Sequence, residues 1–377
     1  MRSIQMVDLK QQYQKIKPEI DEAVLKVLDS GAFINGPQVK SFSSALATYH
    51  GVEHVIPCAN GTDALQIAMM ALDLQPGDEV ITPSFTFIAT AEVIALLKLT
   101  PVFVDVDPKT FCIDPVAIEK AITKKTKAIV PVHLYGQSAD MEKIMDIAKR
   151  HSLYVIEDNA QAIGCDFYFS DGSVKKTGAI GTVGTTSFFP SKNLGAYGDA
   201  GAIVTNDGVL ADKMRMVANH GQSKQYYHDI VGFNSRLDTI QAAILEIKLK
   251  YLDEYINARR AVADFYDNAF KSDQRITTPY RASNSRHVFH QYTLLLDGVN
   301  RDELNRFLIE NGVPNAIYYP VPAHRQKMFA AFNTSELNLP VTDFITQRVI
   351  SLPIHTEMEK EQLEFITSKV LEFSNKY

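Results

Sequence analysis

The sequence predicts an α/β fold: a large domain with a mostly parallel central sheet flanked by helices, followed by a smaller C-terminal α+β domain. Three observations carry this prediction. Between about residues 63 and 205, short apolar runs of strand length alternate with segments of helical period, which is the rhythm of repeated strand–helix units. Several of those runs are apolar on both faces, as strands buried in the middle of a parallel sheet are. A helical period then runs from Leu237 to about Phe270, too long for one ordinary helix, and marks the bridge into a second domain.

Taken in order, Ile16, Ile20, Val24, Val27 and Leu28 recur at spacings of three and four and predict an amphipathic N-terminal docking helix over 16–29. Beyond Gly31 and Gly36 the pattern predicts a helix at about 63–74, a strand at Glu79–Pro83, a helix from about 88 and a strand at Pro101–Val106. Strands follow at Lys127–Val132, Leu153–Glu157, Thr185–Phe189 and Ala202–Thr205, with a helix at about 140–151 between the first two. The C-terminal part predicts a strand at Gln291–Leu296, a helix at 301–311, a Pro-rich segment at 314–322 and a last helix near 359–373. The expected division is therefore residues 1–250, a large domain with the N-terminal helix, and residues 251–377, a small one.

Composition removes several classes of function. With 377 residues, 46% hydrophobic and 22% charged, the chain is an ordinary globular one with enough length for a substantial core. A net charge of −6 argues against a protein that holds nucleic-acid backbones. Its three cysteines, Cys58, Cys112 and Cys165, are far apart and predict neither a disulfide framework nor a thiolate metal site. No histidine cluster has metal-ligand spacing, and no apolar run is long enough for a membrane span. The expectation is a cytoplasmic protein without a targeting peptide, membrane segment or metal.

The chemistry concentrates in Ser187-Phe188-Phe189-Pro190-Ser191-Lys192-Asn193-Leu194-Gly195. A lysine on a loop of small residues between two apolar strands is held inside the fold, where its pKa falls and its amine becomes a nucleophile toward an aldehyde. The plain alternative is a solvated loop lysine, and only its companions decide against that. Asp158 ends an apolar strand, where α/β proteins bind ligands; it can hold a proton on a ring nitrogen or simply cap the next turn. Gln161 is close enough in sequence to reach the same ring. The turn Ala59-Asn60-Gly61-Thr62 opens a helix and offers free N–H groups and a hydroxyl to a phosphate, or an ordinary N-cap to the helix. Ser187 adds a hydroxyl, and Phe87 a ring that can stack on a planar ligand or pack in the core.

In this order the motifs resemble the nucleotide-sugar aminotransferases of the aspartate-aminotransferase (type I) fold, over nearly the whole chain from residues 33–37 to Tyr319-Pro320-Val321-Pro322-Ala323-His324. The resemblance implies pyridoxal 5'-phosphate (PLP) as cofactor, with Lys192 as the Schiff-base lysine, Asp158 on the pyridine nitrogen, Gln161 on the ring hydroxyl and Phe87 stacked on the ring. Gly61, Thr62 and Ser187 are the implied phosphate cradle, completed across a homodimer by Asn234 of Gly232-Phe233-Asn234-Ser235-Arg236-Leu237-Asp238. It also implies L-glutamate as amino donor and a nucleotide-linked keto-sugar as acceptor. Lysine rather than histidine at 192 points away from the sister group that dehydrates sugars.

Short strings around His133, Asn219 and Asn234 are closest in look to members that act on UDP-2-acetamido-3-keto-glucuronate for surface polysaccharide such as lipopolysaccharide O-antigen. Deoxythymidine-linked 3-keto-6-deoxyhexoses and 4-keto sugars are the alternatives. Arg236 is then expected to pair with the sugar carboxylate, or else with Asp238. Tyr318, Tyr319 and His324, in the Pro-rich segment, are expected near the substrate, although two tyrosines between prolines can equally pack a domain interface. Two other classes stand beside this reading. A nicotinamide enzyme would need a Gly-x-Gly-x-x-Gly turn after the first strand, which Gly178, Gly181 and Gly184 do not form. A non-catalytic sugar-nucleotide sensor would keep the fold without turnover.

Overall fold

The structure is a computed structural model that describes residues 1–376. It opens with a helix, α1 (Leu9–Ser30), that begins about two turns earlier than the apolar period alone indicates because Asp8 caps it by accepting from the Gln11 amide. Pro18 lies inside α1, and Ile16 just before it leaves helical geometry at φ −114°, the kink a helical proline produces. Two elements follow that the periodicity does not reveal: α2 (Pro37–His50), a helix of weak amphipathicity started by its own proline, and β1 (His54–Cys58).

The expected alternation then appears: α3 (Gly61–Ala71), β2 (Glu79–Pro83), α4 (Ala89–Leu96), β3 (Thr100–Val104), α5 (Pro115–Ala121), β4 (Thr126–Ile129), α6 (Met141–His151) and β5 (Tyr154–Asp158). A surface hairpin, β6 (Asp166–Tyr168) with β7 (Val174–Lys176), separates these from β8 (Val183–Ser187), β9 (Gly201–Thr205) and α7 (Gly208–Ala218). The main sheet has seven strands in the order β1-β9-β8-β5-β4-β2-β3. β8, β5, β4, β2 and β3 run parallel, and β9 is antiparallel to both its neighbours. Helices cover both faces. Leu65, Met69, Ile94 and Met214 from α3, α4 and α7 pack on one, Ile118, Ile144 and Ile147 from α5 and α6 on the other.

The short ribbon β10 (Gln222–Lys224) and β11 (Tyr227–His228) precedes the long helical region, which is two helices, α8 (Thr239–Lys250) and α9 (Leu252–Phe270), meeting at Tyr251. The rest of the chain builds a three-stranded antiparallel sheet from β12 (Ile276–Thr277), β13 (Tyr292–Leu296) and β14 (Val349–Leu352). Around it stand α10 (Arg301–Glu310), α11 (Pro340–Thr346) and α12 (Lys360–Ser374). Tyr266 and Phe270 of α9, Leu308 of α10 and Ile366 of α12 close over Tyr292 and Ile350 in a separate core.

One buried ion carries much of the sheet's end. Glu157 is fully buried and accepts from His133 Nε2 at 2.8 Å and from the amides of Gly178, Ile180 and Gly181 at 2.8, 2.7 and 2.6 Å. The His133 Nδ1 accepts from the Ala139 amide at 3.1 Å, which fixes the ring as the neutral tautomer protonated on Nε2. Burial alone would raise the Glu157 carboxyl, but the hydrogen bonds from His133 and the glycine amides outweigh it and hold it below its ordinary 4.5. A folded pKa below the unfolded one adds stability above pH 4.5 that is lost as pH falls through the folded value. Glu157→Gln puts a donor where only acceptors fit and is expected to cost about 3 kcal/mol or more. Thermal unfolding of both proteins should show that gap above pH 5 and its closure in acid; a gap independent of pH would mean the carboxylate charge is not what is stabilising.

Candidate active site

The ends of β2, β5 and β8 lie at the same edge of the main sheet, the carboxyl edge at which parallel α/β sheets bind ligands. Each delivers a residue singled out above: Phe87 beyond β2, Asp158 at the end of β5, and Ser187 and Lys192 at and beyond the end of β8.

Asp158 is 6% exposed and held from behind. Its Oδ2 accepts from the Thr90 hydroxyl at 2.8 Å, and its Oδ1 from the Ala160 amide at 3.1 Å. Thr90 meets the Thr86 hydroxyl at 3.2 Å, so a short hydroxyl chain orients the carboxylate. Gln161 is buried with both ends of its amide engaged. Its oxygen accepts from the Tyr135 amide at 2.7 Å, and its nitrogen donates to the Tyr319 hydroxyl at 2.9 Å, which leaves one N–H of the amide for a ligand.

Lys192 is enclosed by protein but keeps a partly accessible surface toward the cleft. Its Nζ has no hydrogen bond or ion pair among the described residues. Burial draws its pKa down to about 8, opposed by the charge of Asp158. At pH 7 about a tenth of it is then the neutral amine, against far less for a solvated lysine. The loop that carries it doubles back sharply: a Cβ on Gly195 would lie 2.2 Å from the Pro190 carbonyl oxygen.

Beside it is an anion cradle. Asn60 caps α3 by accepting from the Asp63 amide at 2.8 Å, while the Gly61 and Thr62 amides have no acceptor among the described residues. A Cβ on Gly61 would sit 2.7 Å from that of Ser187, so glycine lets the helix start close against β8 and puts the Ser187 hydroxyl beside the free amides. The aromatic wall alternates as a strand end should. Phe85 is fully buried, whereas Phe87 is 54% exposed with its ring 6.1 Å from that of Tyr319.

The segment 231–238 also alternates. Ser235 is buried, donating to Asp63 Oδ2 at 2.7 Å and accepting from the Ala59 amide at 3.1 Å. Asn234 and Arg236 face outward from it, Asn234 exposed and Arg236 partly so. Neither side chain has a partner among the described residues, and the Arg236–Asp238 bridge is not formed.

In the Pro-rich segment, Tyr319 reaches the cleft through Gln161, and the Tyr318 carbonyl accepts from the Tyr135 hydroxyl. His324 lies deeper than they do. Its side chain is fully buried, with Nδ1 2.7 Å from the Ser84 Oγ and the backbone amide donating to the same oxygen at 3.1 Å. It is a joint that ties the Pro-rich segment to the end of β2. Thr90, Tyr135 and His290 were missed by sequence reasoning. His290 is 5% exposed, feels the charge of Lys192 and has an unpartnered Nδ1; no spacing in the sequence sets it apart from the other histidines.

A low-pKa amine near a carboxylate suits a carbonyl bound covalently and a cationic ring N–H; free amides at a helix start suit a phosphate. No group of acids, histidines or cysteines among the described residues could hold a metal, and no helix among them is long and apolar enough to cross a membrane.

The DegT/DnrJ/EryC1/StrS aminotransferase family model matches residues 14–371. The chain is 47% identical to a "Pleiotropic regulatory protein" of Geobacillus stearothermophilus, covering 98% of each. It is also 47% identical to the UDP-2-acetamido-2-deoxy-3-oxo-D-glucuronate aminotransferase of Pseudomonas aeruginosa, over 96% of this chain and 98% of that one. The crystal structure of NtdA from Bacillus subtilis with bound cofactor PMP superposes with a TM-score of 0.92 at 34% identity, covering 100% of this chain and 86% of that one.

Competitive labelling of the cofactor-free protein with an amine-selective reagent over a pH series should give Lys192 a half-reacting pH of about 8, where exposed lysines follow 10.5. A Lys192 profile that coincides with theirs would mean that its amine is not held in a low-dielectric site.

Proposed function

The chain belongs to the DegT/DnrJ/EryC1/StrS aminotransferase family, and from that membership we propose that it is a PLP enzyme moving the amino group of L-glutamate to a nucleotide-linked keto-sugar. The proposed acceptor carbon is C3 of UDP-2-acetamido-2-deoxy-3-keto-glucuronate, on the way to surface polysaccharide. The observation that carries the proposal is the partnerless, low-pKa Lys192 amine set against Asp158 at the carboxyl edge of the sheet. The full-length likeness to an aminotransferase for that sugar supports the choice of acceptor.

The residues fit PLP. The free amides of Gly61 and Thr62 with the Ser187 hydroxyl would hold its phosphate, Phe87 offers an exposed ring face, and Asp158 is already oriented by Thr90. When bound, the cofactor supplies an electron-withdrawing ring that stabilises negative charge on the carbon losing a proton. Asp158 would keep a proton on the cofactor's ring nitrogen, and the remaining N–H of Gln161 would donate to the ring hydroxyl. Lys192 would hold the cofactor, and its Nζ would be the group that takes a proton from the glutamate α-carbon in one half-reaction and delivers one to C3 of the sugar in the other, in each case passing the proton between that carbon and the cofactor. Its lowered pKa suits both directions at neutral pH, since the amine must exist in both forms.

Arg236 projects a guanidinium that no acid among the described residues neutralises, suited to a bidentate grip on the sugar carboxylate. Asn234, outward beside it, would complete the phosphate site of a second subunit in a cytoplasmic homodimer. The chain is taken to divide near residue 250 into the cofactor-binding and smaller domains. The similarity to a regulatory protein favours one second reading, a sensor that binds cofactor and sugar without turnover.

The deciding experiment is the absorbance spectrum of the PLP-loaded protein before and after L-glutamate. Conversion to the pyridoxamine form is expected, and a bound cofactor that glutamate leaves unchanged would favour the sensor. Borohydride should fix PLP on the peptide containing Lys192, and Lys192→Ala should stay folded and lose that adduct; an adduct retained there would overturn the assignment. Arg236→Ala is expected to raise KM for the 3-keto-glucuronate acceptor about tenfold or more while leaving the glutamate half-reaction unchanged. An unchanged KM would favour a sugar without a carboxylate, such as a deoxythymidine-linked 3-keto-6-deoxyhexose.

A further inference from the structure

Lys248 is buried where an apolar side chain would cost less. It lies on the inner side of α8, 1% exposed, with Nζ donating to the Gly195 carbonyl at 2.5 Å and standing 5.1 Å from the centroid of the Tyr197 ring. No carboxylate among the described residues pairs with it. The charge that acts on it is of its own sign: Arg259, 3% exposed and likewise without an acid, held by the backbone carbonyls of Phe289, His290 and Ile354 at 3.2, 3.3 and 3.0 Å. Burial first, and Arg259 second, draw the Lys248 pKa down to about 7. Removing an ammonium from water without a counter-ion is unfavourable by several kcal/mol, and well-packed apolar replacements of buried charges are often neutral or stabilising. Stability therefore does not account for this lysine.

What Lys248 holds is the far end of the loop that presents Lys192. The near end is set by β8 and by the Lys192 N–H to the Phe189 carbonyl at 2.8 Å, and the far end is also tied back by Ala196 N–H to the Phe188 carbonyl at 2.7 Å, which leaves the Gly195 carbonyl itself to Lys248. In between, the Asn193 side chain donates to the Val288 carbonyl at 2.9 Å, one residue before the stretch that Arg259 grips. Gly195 has no side chain of its own to anchor the turn, and its carbonyl is the handle that α8 takes.

We propose that Lys248 is a positioning residue for Lys192, fixing the Pro190–Gly195 loop through the Gly195 carbonyl so that the Lys192 amine stays enclosed and without a partner. The proposal rests on Lys192 being the cofactor-bearing lysine. Lys248 touches neither the cleft nor its groups and acts only through the loop.

The test is Lys248→Met in the full-length protein, read by competitive labelling of Lys192 without cofactor, by thermal unfolding, and by turnover of the PLP-loaded protein with L-glutamate and the proposed keto-sugar acceptor. The melting temperature should stay the same or rise. The half-reacting pH of Lys192 should move upward from about 8 toward 10.5 as the loop loosens and water reaches the amine. Turnover should fall about tenfold or more, as misplacement of a catalytic group does, with a smaller change in KM. If the methionine variant does not fold, Lys248→Gln, which keeps an uncharged N–H donor of shorter reach, should show the same labelling shift at smaller size. A variant whose Lys192 labelling matches wild type overturns the proposal, whether or not its melting temperature falls, since a merely structural lysine would affect only the latter. Wild-type protein in which Lys192 labels no differently from surface lysines would overturn the cofactor-lysine reading and this proposal with it, and so the two failures are distinguishable.

Discussion

Glu157 and Asp158 are neighbouring carboxylates at the end of β5, and the strand's alternation sends them to opposite tasks. Glu157 turns inward and gathers four donors, among them His133 from the segment after β4 and three amides from the turn at 178–181. Those bonds bind the end of β5 to the turn that leads into β8. The two strands that carry Asp158 and Lys192 therefore keep a fixed relation at the edge of the sheet. Without the buried ion, Asp158 would still exist, but nothing would hold its position relative to the loop beyond β8.

Charge at the site is governed by what burial leaves unpaired. Glu157 is buried and fully supplied with donors, so it stays ionised and builds structure. Lys192 is enclosed with no partner, so its pKa falls and it becomes reactive. Lys248 and Arg259 fall between: buried, with no acid among the described residues, and hydrogen-bonded to backbone carbonyls. Carbonyl dipoles solvate a cation without neutralising it, and the interior around the Lys192 loop accordingly has a positive bias. His290, between these cations, is held well below its ordinary pKa by burial and then by Lys192 and Arg259, which keeps it neutral beside the reactive amine.

Much of this was legible in the sequence because chemistry and fold coincide at strand ends. An apolar run ending in Asp158, a glycine turn opening α3 and a lysine in a small-residue loop are each visible as local patterns, and a parallel sheet brings such ends together. The elements that escaped are those whose signal is tertiary. α2 has a weakly amphipathic face because it packs between α8 and β1, so its period is blurred. The long period from Leu237 hides the break at Tyr251, since apolar spacing continues through it while the backbone turns. A motif position does not say which way a side chain points; only the contact with Ser84, some 240 residues away, shows that His324 faces inward. Thr90 escaped for the same reason, its partner Asp158 lying 68 residues on.

The segment 231–238 links the site to whatever lies beyond the single chain. Ser235 is pinned to Asp63 in the first turn of α3, the helix whose start offers the free amides. Alternation along this extended segment turns Asn234 and Arg236 outward together, and neither side chain finds a partner among the described residues. An exposed asparagine and an unneutralised arginine, on a rigid ribbon fastened to the anion cradle, are held ready without being satisfied. A second subunit placed against this ribbon would receive both groups in a fixed geometry, and the cradle that fastens the ribbon in one chain would then depend on the matching ribbon of the other. Assembly and cofactor binding would in that case be coupled through Ser235, because loosening its bond to Asp63 disturbs the cradle of its own chain and the groups it presents to its neighbour at once.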